Sequence, residues 1–274
     1  MRFKKVYYLQ IIFLFTFLIF FNSCQRSTEP ETLTQTQTPT ITPELAKKVT
    51  NSIIDGTLRL TGEVYNDDIQ LLENKKVQLV TQGGRTHYYD GSYHVWEGTL
   101  TNPKYPDAYK GAYIAKIQYK DVNGNPQKNA AGAVSMKSYG DVWAAFGFVN
   151  PNPKHGDRTE HNISGVWTKL RVTPVFNGSG FYDRNWTGIY NGKEANFHNR
   201  FDIKVNNLEF YSRHTNLRLV GTISITKKPY KANVVCNGTK YASVKVYENG
   251  KLINSYKYQI PDVKKLTFGG LIIP

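Results

Sequence analysis

The chain has 274 residues, 35 Lys and Arg against 21 Asp and Glu, a formal net charge of +14 and a mean hydropathy of −0.48. Two cysteines exclude a multi-bridge disulfide scaffold, and neither a glycine-rich phosphate loop nor a dinucleotide fingerprint occurs. The basic balance raises nucleic acid as a partner, but no dense Lys/Arg cluster carries aromatics at base-stacking spacing, so none is expected.

The N-terminus reads Arg2, Lys4 and Lys5, then the apolar run IIFLFTFLIFF over 11–21, then Asn22-Ser23-Cys24. A basic start, a short apolar segment and a small residue before a cleavage point form an export signal. As a helix that run reaches roughly 16 Å, about half of a hydrocarbon core near 30 Å, which is too short to span. A cysteine directly after such a signal resembles the lipobox of bacterial lipoproteins, with Ser23 in its usual place and Phe21 where Leu is commoner. The resemblance covers only these two dozen residues. It implies a signal peptide over 1–23, Cys24 as the acylated (palmitate-bearing) first residue of the mature chain, and a membrane as partner through that lipid. Gln25, by the enterobacterial sorting pattern, implies the outer membrane, on either its periplasmic or its surface face. An ordinary secreted protein is the alternative.

Residues 24–42, rich in Thr, Gln and Pro, have almost nothing apolar to bury and read as a flexible tether. Thr42-Pro43-Glu44 is a helix start, with an N-cap, Pro in the first turn and an acid beside it. Leu45, Val49 and Ile53 recur every fourth residue, predicting one short helix that ends near Asp55-Gly56 and docks as a lid or brace.

From Thr57 onward the pattern alternates: Leu58/Leu60 with Val64, Phe201/Ile203/Val205, Leu217/Leu219, Ile223/Ile225 and Tyr256/Tyr258/Ile260. Asn-Gly pairs at 123–124, 177–178, 191–192, 237–238 and 249–250 predict tight hairpins. With no helical crossovers, 43–274 reads as an all-β antiparallel domain, a sandwich or an open barrel. The polar, proline-bearing stretch 150–162 is the expected long loop and the point of any subdivision, with one domain preferred over two.

Chemistry is thinly signalled. Cys236 ends a strand and reads as a buried, inert thiol. His155, Asp157, Glu160 and His161 share the expected loop, but four polar loop residues do not make a metal site, and no metal or cofactor is assigned. Glu63, Glu97, Asp183 and Asp202 are available as carboxylate pairs, yet no catalytic set can be chosen among them. Two aromatic patches, 87–96 (HYYDGSYHVW) and 181–190 (FYDRNWTGIY), supply the candidate ligand-binding residues Tyr89, Tyr93, Trp96, Tyr182 and Trp186. Lys240, Lys245, Lys251 and Lys257 lie on the polar sides of strands and suit either a solvated face or an anionic partner. The expectation is a lipid-anchored envelope protein that binds a glycan or an anionic envelope polymer without chemistry of its own. A carbohydrate-active enzyme and a structural or assembly lipoprotein pairing through an edge strand are the alternatives, and the oligomeric state stays open.

Overall fold

The computed structural model describes residues 42–72, 86–100, 109–147, 156–170, 173–190, 193–211 and 218–261. The signal segment, Cys24 and the tether lie outside the described residues. One helix, α1 (Pro43–Leu72), is followed by β1 (Thr86–Tyr89), β2 (His94–Leu100), β3 (Tyr109–Lys120), β4 (Pro126–Gln127), β5 (Ser135–Phe146) and β6 (Gly156–Thr168). Then come β7 (Val175–Tyr190), β8 (Lys193–Phe210), β9 (Leu219–Lys227), β10 (Tyr230–Asn237), β11 (Tyr241–Glu248) and β12 (Lys251–Gln259). They form one antiparallel sheet in the order β1-β2-β3-β5-β6-β7-β8-β9-β10-β11-β12, with β4 beside β3. The fold is all-β and open: β1 and β12 are its two ends and do not pair.

The helix lies against β3, β5, β6, β9 and β12, strands drawn from across the whole sheet order, so the sheet curls around it. Its start is as the sequence predicts, with Thr42 Oγ accepting from the Leu45 amide at 3.3 Å. Its length and its role are corrections. The helix runs 30 residues, and the Leu58/Leu60 alternation read as a first strand lies inside it. Between Ile53 and Gly62 no position is exposed, so apolar residues appear on every side and the amphipathic period that marks surface helices is lost. Thr50, Thr57 and Thr61 enter this buried environment because each hydroxyl donates to the carbonyl four residues earlier, at 2.6, 2.8 and 2.7 Å. The helix is therefore core, not brace.

Sheet hydroxyls and amides fasten it. Tyr230 and Thr50 share a hydroxyl–hydroxyl bond, Tyr256 donates to Asn51 at 2.8 Å, Tyr258 donates to Asp55, and Asn254 donates to the Pro43 carbonyl at 2.8 Å. Opposite them Gly56 meets β6: a Cβ there would stand 2.5 Å from His161 Nδ1. Further along, Trp167 packs on Phe176 and Phe210 with ring centres 5.0 and 5.1 Å apart.

The alternation read at 201–205, 223–225 and 256–260 falls on β8, β9 and β12, with Phe201, Ile203, Val205, Ile223, Ile225 and Tyr258 buried. Asn249-Gly250 turns β11 into β12 with φ of 50° and 79°, the double positive φ of a type I′ turn. Asn177-Gly178 does not turn. It sits within β7 at a bulge, where Asn177 Oδ1 accepts from the Asn207 amide at 2.8 Å and the Phe176 ring occupies the space a Gly178 Cβ would need. Residues 156–162, expected as loop, belong to β6 and pair in unbroken register with β5 and β7.

Candidate functional site

Alternation sorts side chains between the concave, helix-facing side and the convex side. On β3, Ala115, Ile117 and Tyr119 are buried against the core, so Ile114 and Lys116 face outward. Register places Ile114 opposite Asp141 and Lys116 opposite Tyr139 on β5. Beside them the β1–β2 connection Asp90-Gly91-Ser92-Tyr93 is held as a tight cap. Asp90 Oδ1 accepts from the Ser92 and Tyr93 amides at 2.8 and 2.6 Å, with Gly91 at a φ of 97°. Those two amide bonds, Tyr93's first, hold the Asp90 carboxyl below its usual range. Together Asp90, Ser92, Tyr93, Ile114, Lys116 and Tyr139 line an open groove of about 600 Å³ on the convex face.

The groove continues into an acidic row. Tyr139 donates to Asp141 Oδ2 at 3.1 Å, and burial first, then the Asp141 charge, push its phenol up to about 12. Asp141 is itself raised, by burial and then by the Glu160 carboxylate one strand over, and its Oδ1 is buried with no hydrogen-bond partner. Glu160 contacts Arg158 at 3.5 Å, and that guanidinium lies 5.3 Å from the centre of the Trp143 ring. An apolar floor, two phenols, a lysine and two differently placed carboxyls converge here. Such a surface can hydrogen-bond a polyhydroxylated ligand.

Of the five residues expected from sequence to bind ligand, only Tyr93 reaches this groove. Trp96 is 2% exposed, with His87 stacked on it at 4.3 Å, so it is core rather than a platform. Tyr89 donates to the Gly91 carbonyl and lies under Lys128. Tyr182 and Trp186 point to the concave side of β7, Tyr182 against His161 at 5.7 Å and Trp186 over Gly188. The histidine and carboxylate quartet is also dispersed. His161 is buried and bonded to Thr57 at 3.1 Å, Asp157 forms a bidentate pair with Arg184 on the same side, and Glu160 points outward. His155 lies outside the described residues. Asp183 and Asp202 both flank Arg200 on the convex face, Glu97 lies on β2, and the side chain of Glu63 lies outside the described residues. Cys236 is buried and its thiol is pushed up to about 12 by desolvation, the inert state expected of it.

The residues that sequence reasoning missed are Tyr139, Asp141, Ile114 and Lys116. Their partners sit 20 to 30 positions away in the chain, and only cross-strand register brings them together. Comparison with protein-family models, with curated proteins and with solved structures finds no match.

Proposed function

We propose that this is a lipid-anchored cell-envelope protein whose β domain binds a glycan in the convex groove without transforming it. The groove carries the reading. It is lined by the capped β1–β2 turn and by β3 and β5 of a sheet that curls around a buried helix, and it combines Ile114 and two tyrosines with Lys116, Ser92 and Asp90. Rigid aromatic and hydroxyl-bearing surfaces of this kind bind sugars at low conformational cost. The lipid reading is supported by the signal and Cys24, followed by 18 tether residues before Pro43. Radiolabelled palmitate incorporated by the native chain but not by Cys24→Ser tests the anchor. For the groove, glycan-array binding lost in Tyr93→Ala and in Lys116→Ala, with an unchanged melting temperature, supports the reading, and retained binding in both overturns it.

One observation favours a second reading, a glycan-cleaving enzyme. Asp141, whose carboxyl is raised by burial and then by the Glu160 charge, lies one strand from Glu160, and glycosidic cleavage uses two carboxyl groups. Release of reducing ends by the purified chain, abolished in Asp141→Asn, would replace binding by catalysis.

A further inference from the structure

The convex face of β9–β12 differs from that of β5–β8. The β5–β8 face carries Asp141, Glu160, Asp183 and Asp202. From β9 to β12 the described residues include one carboxylate, Glu248, and its pairing with the buried Tyr230 puts it on the concave alternation. Lysines on the convex side are not scattered there. Lys231 on β10 pairs with Tyr247, two residues from Lys245 on β11, and Lys245 pairs with Ser255, two residues from Lys257 on β12. In the other direction, the β9 partner of Lys231 is Thr226, two residues before Lys228 in the turn. Lys245 and Lys257 are thus each one strand over and two residues along from the lysine before, and Lys228 sits in the turn at the other end of the row.

With strands ~4.8 Å apart and ~3.4 Å per residue, each of the two strand-to-strand steps is about 8 Å, so Lys231, Lys245 and Lys257 span roughly 17 Å and Lys228 extends the row at the turn. All four side chains are exposed, and none forms an ion pair with a described residue. Around them stand Thr226, Asn233, Ser243 and Ser255, with the exposed Val235 and two β11 rings, the half-buried Tyr247 and the exposed Tyr241.

We propose that this diagonal row, Lys228-Lys231-Lys245-Lys257, is a docking track for a linear anionic polysaccharide. A single file of evenly spaced ammonium groups complements a thread with regularly spaced charges, whereas a bilayer surface would be met by a two-dimensional patch. The hydroxyls and amide between the lysines suit sugar hydroxyls. A single-stranded nucleic acid would need a series of closely spaced stacking rings, and Tyr241 and Tyr247, roughly 20 Å apart along β11, do not provide it. The track is separate from the groove and does not depend on what the groove holds or on the lipid at Cys24.

The test uses the full-length chain in neutral detergent, with polygalacturonate as probe, and with neutral dextran, single-stranded DNA and anionic phosphatidylglycerol vesicles alongside. Polygalacturonate should bind, dextran should not, and Lys245→Glu should weaken binding roughly tenfold, since reversal turns a central attraction into repulsion. Lys240→Glu changes net charge equally but lies off the row, next to Tyr241, and should cost no more than about twofold. All variants should keep the native melting temperature, these side chains being exposed. Equal losses from Lys245→Glu and Lys240→Glu would show diffuse charge attraction and overturn the track. So would absence of polygalacturonate binding, or tighter binding to DNA or to the vesicles.

Discussion

Acidification should weaken this fold through His161, and the size of the effect follows from its surroundings. The imidazole is buried between α1 and β6, its Nε2 shares a hydrogen bond with Thr57 at 3.1 Å, and burial lowers its pKa from 6.5 to about 3. The folded chain therefore keeps this ring neutral while the unfolded chain protonates it below pH 6.5. The unfolded state binds more protons, so stability is greatest above pH 6.5 and falls as pH drops from there towards 3. Each pH unit in that window costs about 1.4 kcal/mol, giving a loss of about 2 kcal/mol between pH 7 and pH 5. For a domain of this size that corresponds to a melting temperature lower by about 4–8 °C. Thermal unfolding followed by circular dichroism at pH 7, 6 and 5, in the native chain and in His161→Gln, measures it. The glutamine cannot titrate and can still meet Thr57, and every other ionisable group is common to both proteins. The native chain should lose about 2 kcal/mol more than the variant on going to pH 5. Parallel pH profiles would refute the assignment of a neutral, buried imidazole at this contact.

Three further substitutions probe the packing of helix against sheet. Gly56→Ala, which in an open helix gains about 1 kcal/mol, should instead destabilise by about 1–3 kcal/mol, because its Cβ would fall 2.5 Å from the His161 ring. In a His161→Ala background the same change should become stabilising, which denaturant titration of the four proteins would show. Tyr258→Phe removes the donor to Asp55, whose carboxyl burial already raises, and should cost about 1–2 kcal/mol in urea unfolding. Trp167→Ala opens the Trp167–Phe176–Phe210 cluster and should cost about 3–5 kcal/mol by the same measurement.

The β architecture was legible where local chemistry dictates it. Asn249-Gly250 can adopt a double positive φ that few pairs tolerate, and the period-two runs around Ile203, Ile223 and Tyr258 identify the face each strand buries. The helix was legible only at its capped start. Between Ile53 and Gly62 no position is exposed, so the polar face that would announce its continuation is missing there, and Leu58 with Leu60 imitates a strand. Asn177-Gly178 shows the complementary failure: a turn dipeptide used because a neighbouring phenyl ring needs the room. The candidate groove could not be read from the sequence. Tyr93, Lys116 and Tyr139 belong to different strands and loops, and nothing local fixes which residues will stand opposite one another. Trp96 looked like a surface anchor for the same reason. Its run gives no sign of which side of the curled sheet it faces.

Because the helix that fills the interior is the first element among the described residues, a pull applied at Thr42 would be transmitted along its axis. The bonds from Asn254, Tyr256, Tyr258 and Tyr230 cross that axis and would be sheared together rather than opened in sequence. Drawing the helix out would empty the centre of the sheet and leave Ile53, Leu58 and Leu60 in water. Were the chain anchored through Cys24 as proposed, tension from that anchor would become a load on folding itself.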